Sequence, residues 1–588
     1  MTQPKPVYLI APTTAGRKLA QALQALLPEA MLWKRPLGEL ESAWREAGQL
    51  VFVLAVGAVV RLIAPLLADK RTDPGVVVID EAGRFAVSVS AGHIGGADAL
   101  AERIAALLSA TAVLTGAGGR HGLPPVDLLG KAYGWQAGEA SDWNRVAALV
   151  AAGEPVQVVQ ECGLDLWRAA LPESHPFVDT AAAAGRLWIS HRLPTAGTLP
   201  TVCWHPRVIW LGVGCERGIA ADFLEQSIRQ ALAGAGLAFE AVAGIASLDI
   251  KADEAGLLAV AERHGWPVRF FDAATLARCP VPNPSQAVAD CVGTPSVAEA
   301  AALLAGEALQ LAAPKRVFKA AGAGACTVAA AVAIQEFNPA PGRLLLIGSG
   351  PGALDQITPA ARAALGAAQV VIGYQLYIDL IRPLLAPTQI VETSPITQEV
   401  ARAERAIALA RRGLAVAVIS SGDAGIYGMA GLVFERLARG GWNGQAPAVD
   451  VLPGITALQA AAARVGAPLM HDFCAISLSD LLTPWQTICT RLEAAARADF
   501  VVALYNPRSA SRTQQIAQAR EILLAHRDPA TPVALVRCAY RPDEQVSLHT
   551  LADLPLESVD MLTTVLIGNR ATFRRGDRLI TPRGYPHP

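Results

Sequence analysis

With 588 residues the chain is too long for one core, and a prior of about 150 residues per domain gives three to five domains. Apolar residues make up 52% and charged residues 17%, as in a folded chain; the net charge of −1 offers nucleic acid or a membrane no global field, so a polyanionic ligand must be met by local arginines. Nine cysteines, never closer than 12 residues and forming no CxxC pair, argue against a protein-built zinc or iron–sulfur site and for small apolar packing in a reducing compartment.

The start, "MTQPKPVYLIAP", lacks a basic segment followed by an apolar run, so no signal peptide and a cytoplasmic location are expected. Val7 to Ala11, Val51 to Val56, Val76 to Asp80 and Ala112 to Thr115 read as strands of a first α/β unit ending near residue 130. The most membrane-like run, from Leu50, carries Arg61 near its middle and Pro65 beyond it, and fits a buried strand, a turn and a helix better than a span. In "FAVSVSAGHIGGADALAERIA" a strand feeds a Gly-rich turn with His93, and Asp98 follows at the helix start. The glycines clear space for a ligand, although a turn histidine is more often structural.

Residues 131–206 are less legible and close in "HRLPTAGTLPTVCWHP", which reads as a linker. A third unit begins with "RVIWLGVGC" at Arg207. Its stretch "IASLDIKADEAGLLAVAERHG" gathers Asp249, Lys251, Asp253 and Glu254 before a helix, and it ends in "AAGAGACTVAAAVAI". Asn-Pro and Pro-Gly in "QEFNPAPGR" set the main boundary just before Arg343.

Beyond it, "LLLIGSGPGALDQITPAA" runs a strand into a turn that satisfies the loose dinucleotide fingerprint, but three details oppose that ligand. Pro351 removes an N–H donor, and Thr358 as cap with Pro359 at the first position starts the helix about a turn late. The next strand, in "AQVVIGYQLY", ends in Gly373 and Tyr374 where a ribose-binding acid is expected. No lysine occurs from Gly342 to Pro588, which removes a Walker-type and a Schiff-base lysine from this half. "VAVISSGDAGIYGMAGLV" and "VLPGITALQAAAARVG" repeat the strand, flexible turn and helix, so three loops fall at carboxyl ends of strands, where open α/β sheets bind ligands.

Together with "VIGYQLYIDLI", "DFVVALYNPRS" and "TTVLIGN", these stretches resemble the tetrapyrrole methylases, and within them the precorrin-3B C(17)-methyltransferases, over nearly all of 343–588. The resemblance implies two α/β domains, divided near residue 455, with S-adenosylmethionine in the cleft between them. By motif it carries cofactor binding to Gly350, Pro351, Gly352, Gly422, Asp423, Ala424, Tyr427, Thr456 and Ala457. Asp423 would face the sulfonium charge, its plain alternative being a turn aspartate that caps its helix. Arg508 and Arg512 are the candidates for the carboxylate rim of the macrocycle, with surface helix arginines as the bland reading. Ring contraction needs proton transfer, for which His471, Asp472, Ser477 and Tyr505 lie in matched motifs.

The earlier half resembles the cobalt-precorrin-5A hydrolases, through "VGAVVRLIAPLLADKRTDPGVVVIDEAGRF", "SAGHIGGADALA", "LGVGCERG", "IASLDIKADEAGLLAVA", "PSVAEAAALL" and Lys315, Lys319 and Thr327. That family opens a δ-lactone and releases acetaldehyde. His93 as base and Lys251 near the developing negative charge are the expected catalytic pair; no G-x-S-x-G elbow supports a serine nucleophile. The expectation is thus an α/β, multi-domain fusion: a hydrolase at 1–130, 131–206 and 207–335, then a two-domain methylase at 343–588. It needs no resident metal, takes tetrapyrrole substrates and binds neither nucleic acid nor membrane, and the resemblance to the tetrapyrrole methylases, dimers as a family, implies a homodimer. The alternative keeps the methyltransferase and makes the first half a non-catalytic tetrapyrrole-binding module.

Overall fold

The computed structural model describes residues 5–69, 72–92, 95–108, 110–114, 123–139, 141–195, 197–386 and 388–585. The chain divides into two compact units, one of Met1–Pro341 with Arg412–Leu414, the other of Gly342–Arg411 with Ala415–Pro588. Among the described residues no helix is long and apolar enough to cross a membrane.

The first unit holds three sheets. Strands β1 (Val7–Ile10), β2 (Ala30–Leu32), β3 (Gln49–Val53), β4 (Gly75–Ile79), β5 (Phe85–Ser90) and β6 (Thr111–Val113) order as β2-β1-β3-β4-β5-β6, with only β4 and β5 antiparallel. The run expected as a strand to Val56 stops at Val53, because a helix already begins at Val56.

The stretch read as poorly legible builds a sheet of its own. It comprises β7 (Gln136–Ala137), β8 (Val156–Gln160), β9 (Phe177–Val178), β10 (Gly185–Ile189) and β11 (Thr201–His205), ordered β7-β11-β10-β8-β9. The linker reading of 191–206 is therefore corrected: Pro200 and Pro206 do not punctuate a linker but bracket β11, whose five residues are all buried. Two of its strands have only two residues, too short for any periodicity to show. Tryptophans close its loops instead, with Nε1 of Trp204, Trp167 and Trp188 donating to Val126 O, Gln160 Oε1 and Arg192 O at 2.8, 3.1 and 2.9 Å.

The third sheet, β14-β13-β12-β16-β15, uses β12 (Ile209–Cys215), β13 (Val242–Leu248), β14 (Val268–Phe271), β15 (Leu311–Ala320) and β16 (Gly324–Val332). The helix Ala298–Gly306 lies so close to β12 that a Cβ on Gly212 would stand 1.7 Å from Ala298 O. Only a residue without a side chain permits that approach.

In the second unit, β17 (Arg343–Gly348), β18 (Val370–Tyr374), β19 (Ile390–Ser394), β20 (Ala415–Ser420) and β21 (Ala448–Leu452) form an all-parallel sheet ordered β19-β18-β20-β17-β21. Parallel strands covered on both faces need uninterrupted apolar runs, which "LLLI" and "VAVI" supply. Thr358 caps the next helix, its Oγ1 accepting from Ala361 N at 3.2 Å with Pro359 at the first position, as expected. After the short β22 (Gly466–Ala467) a mixed sheet follows: β23 (Phe473–Ser477), β24 (Val501–Tyr505), β25 (Pro532–Arg537), β26 (Gln545–Thr550) and β27 (Thr563–Ile567), in the order β23-β24-β27-β25-β26.

Candidate active site

Strands β20, β17 and β21 are neighbours and parallel, so their carboxyl ends deliver three loops to one place. Backbone groups bring those loops into direct contact. Gly350 N donates to Gly422 O at 3.0 Å and Gly422 N to Gly350 O at 2.8 Å, a two-bond bridge between the first and second loops. A Cβ on Gly348 would lie 2.7 Å from Gly422 O and from Gly454 N, and one on Gly454 would lie 2.1 Å from Gly422 O. Gly422 itself has φ +68°, a conformation glycine adopts freely.

Asp423 ties this arrangement together. Its Oδ1 accepts from Gly425 N at 2.8 Å and its Oδ2 from Gly454 N at 3.0 Å, so one carboxylate fixes its own turn and clamps the second loop to the third. It is neither a plain helix cap nor a carboxylate with both oxygens open to a ligand. Ala424 is fully buried beneath it. Tyr427 adopts a left-handed φ of +54°; its hydroxyl donates to Ala475 O on β23 at 3.1 Å, and its ring centroid lies 5.0 Å from that of Tyr505.

Thr456 stands at the N-cap position of the helix that opens at Ala457 without a side-chain capping bond; its Oγ1 is 2.6 Å from the Tyr505 hydroxyl, which accepts from Leu458 N at 2.8 Å in its place. Burial is the largest influence on that phenol and raises its pKa; the hydrogen bonds with Thr456 and Leu458 N act the other way, and nearby Asp423 adds to the rise. Tyr505 is thus a protonated group holding a helix N-terminus against the loops.

The remaining expectations fare differently. His471 and its 3.7 Å partner Asp472 precede the first residue of β23, whereas Ser477, paired with Tyr505, ends it. The five-residue strand between them sets its two ends about 13 Å apart. His471 therefore does not join Tyr505, and the proton-transfer grouping is corrected to leave it out.

Arg508 and Arg512 each make contacts within the protein. Arg508 donates to Leu556 O at 2.9 Å and pairs with Glu557 at 3.1 Å; Arg512 donates to Asn506 O at 2.7 Å and buttresses the loop after β24. The arginine at the loop mouth is Arg541, which sequence reasoning missed. Its Nε donates to Pro351 O at 2.9 Å, and it fills the space a side chain at Gly352 would need, with Nε 2.7 Å from that Cβ. Among the described residues neither Nη has a partner. Left-handed Cys538 and Tyr540, at φ +52° and +60°, form the tight turn that aims it. Nothing in "CAYRPDE" distinguishes this arginine from other loop arginines.

In the first unit His93 lies outside the described residues. Its neighbour Gly92 faces Asp98, whose Oδ1 would be 2.6 Å from a Cβ there. Of the polar run after β13, Asp253 points outward to an ion pair with Arg217, while Lys251 and Glu254 turn inward. Lys251 Nζ stands 3.6 Å from Glu254 Oε2, and Glu254 Oε1 accepts from Gly218 N at 3.0 Å. Lys251, Lys315, Lys319 and Thr327 all line one cavity of about 470 Å³ at the end of the third sheet. Among the described residues no group of three or more His, Cys, Asp or Glu is placed to hold a metal ion.

Residues 343–555 match the tetrapyrrole (corrin/porphyrin) methylases, and 39–119, 124–206 and 209–331 match the N-terminal, central and C-terminal regions of cobalamin synthesis G. A probable cobalt-factor III C(17)-methyltransferase of Salmonella typhimurium is 47% identical over 242 residues, 41% of this chain and 99% of that protein. The cobalt-precorrin-5A hydrolase of Priestia megaterium is 36% identical over 278 residues, 45% of this chain and 74% of that protein.

The chain belongs to both families. It is a fusion of cobalamin synthesis G domains with a tetrapyrrole methylase domain. A cobalt-factor III methyltransferase of Priestia megaterium is 53% identical over 245 residues; those residues are 42% of this chain and 45% of that relative's length. Within the tetrapyrrole methylase domain, the three glycine loops fall inside the matched span, and so does Arg541.

Proposed function

We propose that the chain is a bifunctional enzyme of cobalamin biosynthesis, methylating carbon 17 of a tetrapyrrole with ring contraction and opening the δ-lactone formed later, with release of acetaldehyde. The observation that carries the first activity is the seat made by Gly348, Gly422 and Gly454, where backbone groups of three strand ends meet with no lysine and no phosphate-binding helix start. Such a seat fits a cationic methyl donor better than a pyrophosphate. S-adenosylmethionine, when bound, supplies a methyl group on a positively charged sulfur. The chain's own residues do the rest by position: Asp423 clamps two loops, Tyr505 and Thr456 hold the third, and Arg541 offers its Nη pair to a carboxylate at the rim. Relatives of both halves carry names with cobalt in their substrates, which supports a cobalt-bearing macrocycle.

Incubating the full chain with labelled methyl donor and cobalt-bearing intermediates, followed by mass analysis, tests both activities. A product heavier by one labelled methyl group, and acetaldehyde from the lactone, are expected; neither product appearing would overturn the proposal. Asp423→Ala removes two hydrogen bonds at about 1 kcal/mol each, so affinity for S-adenosylhomocysteine should fall ten- to thirtyfold, roughly, in calorimetry while acetaldehyde release persists. Unchanged affinity would rule out the clamp. Arg541→Gln keeps a donor for Pro351 O but loses the charge. The KM for the macrocycle should rise about tenfold, with S-adenosylhomocysteine affinity intact; an unchanged KM removes Arg541 from substrate binding.

A further inference from the structure

The cavity at the end of the third sheet is lined by Lys251, the residue expected to act in lactone opening, and by Lys315, Lys319 and Thr327, and its chemistry suits a ligand beyond that role. Its walls are aliphatic, with Val288, Val292, Val297 and Val317 among them, and among the described residues no aromatic ring lines it. Three lysines line the same space against one acid, Glu216. Two of these charges are spoken for: Lys315 Nζ donates to Asn283 O, and Glu216 Oε2 accepts from Ala325 N at 3.0 Å. Lys251 is 8% exposed and its neighbour Glu254 stands 3.6 Å away, beyond hydrogen-bond length. Lys319 has no partner among the described residues. The N-terminal end of the helix Ala298–Gly306 completes the wall through Ser296, Val297 and Ala298, adding partial positive charge. A small apolar chamber with one uncompensated lysine, one incompletely paired lysine and a helix N-terminus matches an anion on a short hydrocarbon stem.

We propose that this cavity binds an organic carboxylate, its head at Lys319 and Lys251 and its stem against the valines. The volume is that of a small ligand rather than of a whole macrocycle with its side arms. The same chemistry comes from two sources, a free short-chain acid or one acidic arm of a tetrapyrrole held outside; the second source rests on the tetrapyrrole reading above.

Calorimetric titration of the full chain with hexanoate tests the site, with hexylamine as the charge control. Saturable binding of hexanoate and none of hexylamine is expected. Lys319→Gln should weaken hexanoate about tenfold, the loss of one charge-assisted contact. Val317→Asp, at a position 60% exposed where folding is not at stake, should weaken it at least as much by placing a like charge in the mouth. Uroporphyrin that displaces hexanoate identifies the arm of a ring; uroporphyrin that does not compete identifies the free acid. No saturable binding at millimolar hexanoate, or an affinity unchanged from the parent chain in both variants, overturns the proposal. Acetaldehyde release is followed on the same preparations. Its absence with hexanoate still bound removes the hydrolase activity and leaves the carboxylate site standing.

Discussion

Gly454→Ala should weaken S-adenosylhomocysteine binding and slow methyl transfer about a hundredfold while leaving the second unit folded. The added Cβ would stand 2.1 Å from Gly422 O, 2.6 Å from Gly348 O and 2.7 Å from Gly348 C, and all three are backbone atoms of strand ends that cannot swing aside like a side chain. Conformation is not the obstacle, since Gly454 is absent from the residues with left-handed φ. The obstacle is space. Relief to ordinary contact needs a separation of about 1 Å between loops that are also joined by the Gly350–Gly422 bridge and by Asp423. A displacement of that size in positioning groups costs on the order of a hundredfold in rate. Gly431→Ala is the matched control, because a Cβ there meets nothing within 4 Å. Cofactor affinity equal in the two variants would show that the loops do not form the seat.

Lys251→Met should destabilise the first unit by about 3 kcal/mol and stop acetaldehyde release, with methylation untouched. Glu254 is 2% exposed and its Oε2 has no hydrogen bond; Lys251 is the cation beside it. Removing the lysine leaves a buried carboxylate uncompensated, which costs far more than the pair contributes when intact. The double variant Lys251→Met, Glu254→Gln should recover most of the lost stability, read from the unfolding transition of the first unit. The activity separates two roles. Stability regained without acetaldehyde release makes Lys251 a participant in lactone opening, whereas recovery of both makes the pair structural. Hydrolysis retained in the single variant would sink the assignment.

Strand positions in the methylase domain were legible because their chemistry is local. The uninterrupted apolar runs of β17 and β20 can only be covered strands, and Thr358-Pro359 announces a helix start whatever surrounds it. The central sheet of the first unit was not legible. Strands of two residues carry no period, and β11 looks like a linker until its neighbours β10 and β7 are in place to bury it. Polar side chains were harder still, because a guanidinium or carboxylate takes its role from whatever the fold brings within 3 Å.

Arg508 and Arg512 follow a matched motif yet spend their charge on carbonyls of Leu556 and Asn506, while Arg541, with no motif, reaches Pro351 across 190 positions of chain. His471 and Tyr505 share a motif neighbourhood, but parallel pairing of β23 with β24 sends them to opposite ends. By itself the sequence determined the element types, the glycine loops and the families, since those depend on periodicity, capping and short-range pattern. The tertiary structure alone decided which charges are free, that Asp423 clamps two loops, and that three lysines share one chamber. Side-chain partners are chosen by distance in space, and no spacing along a chain encodes that distance.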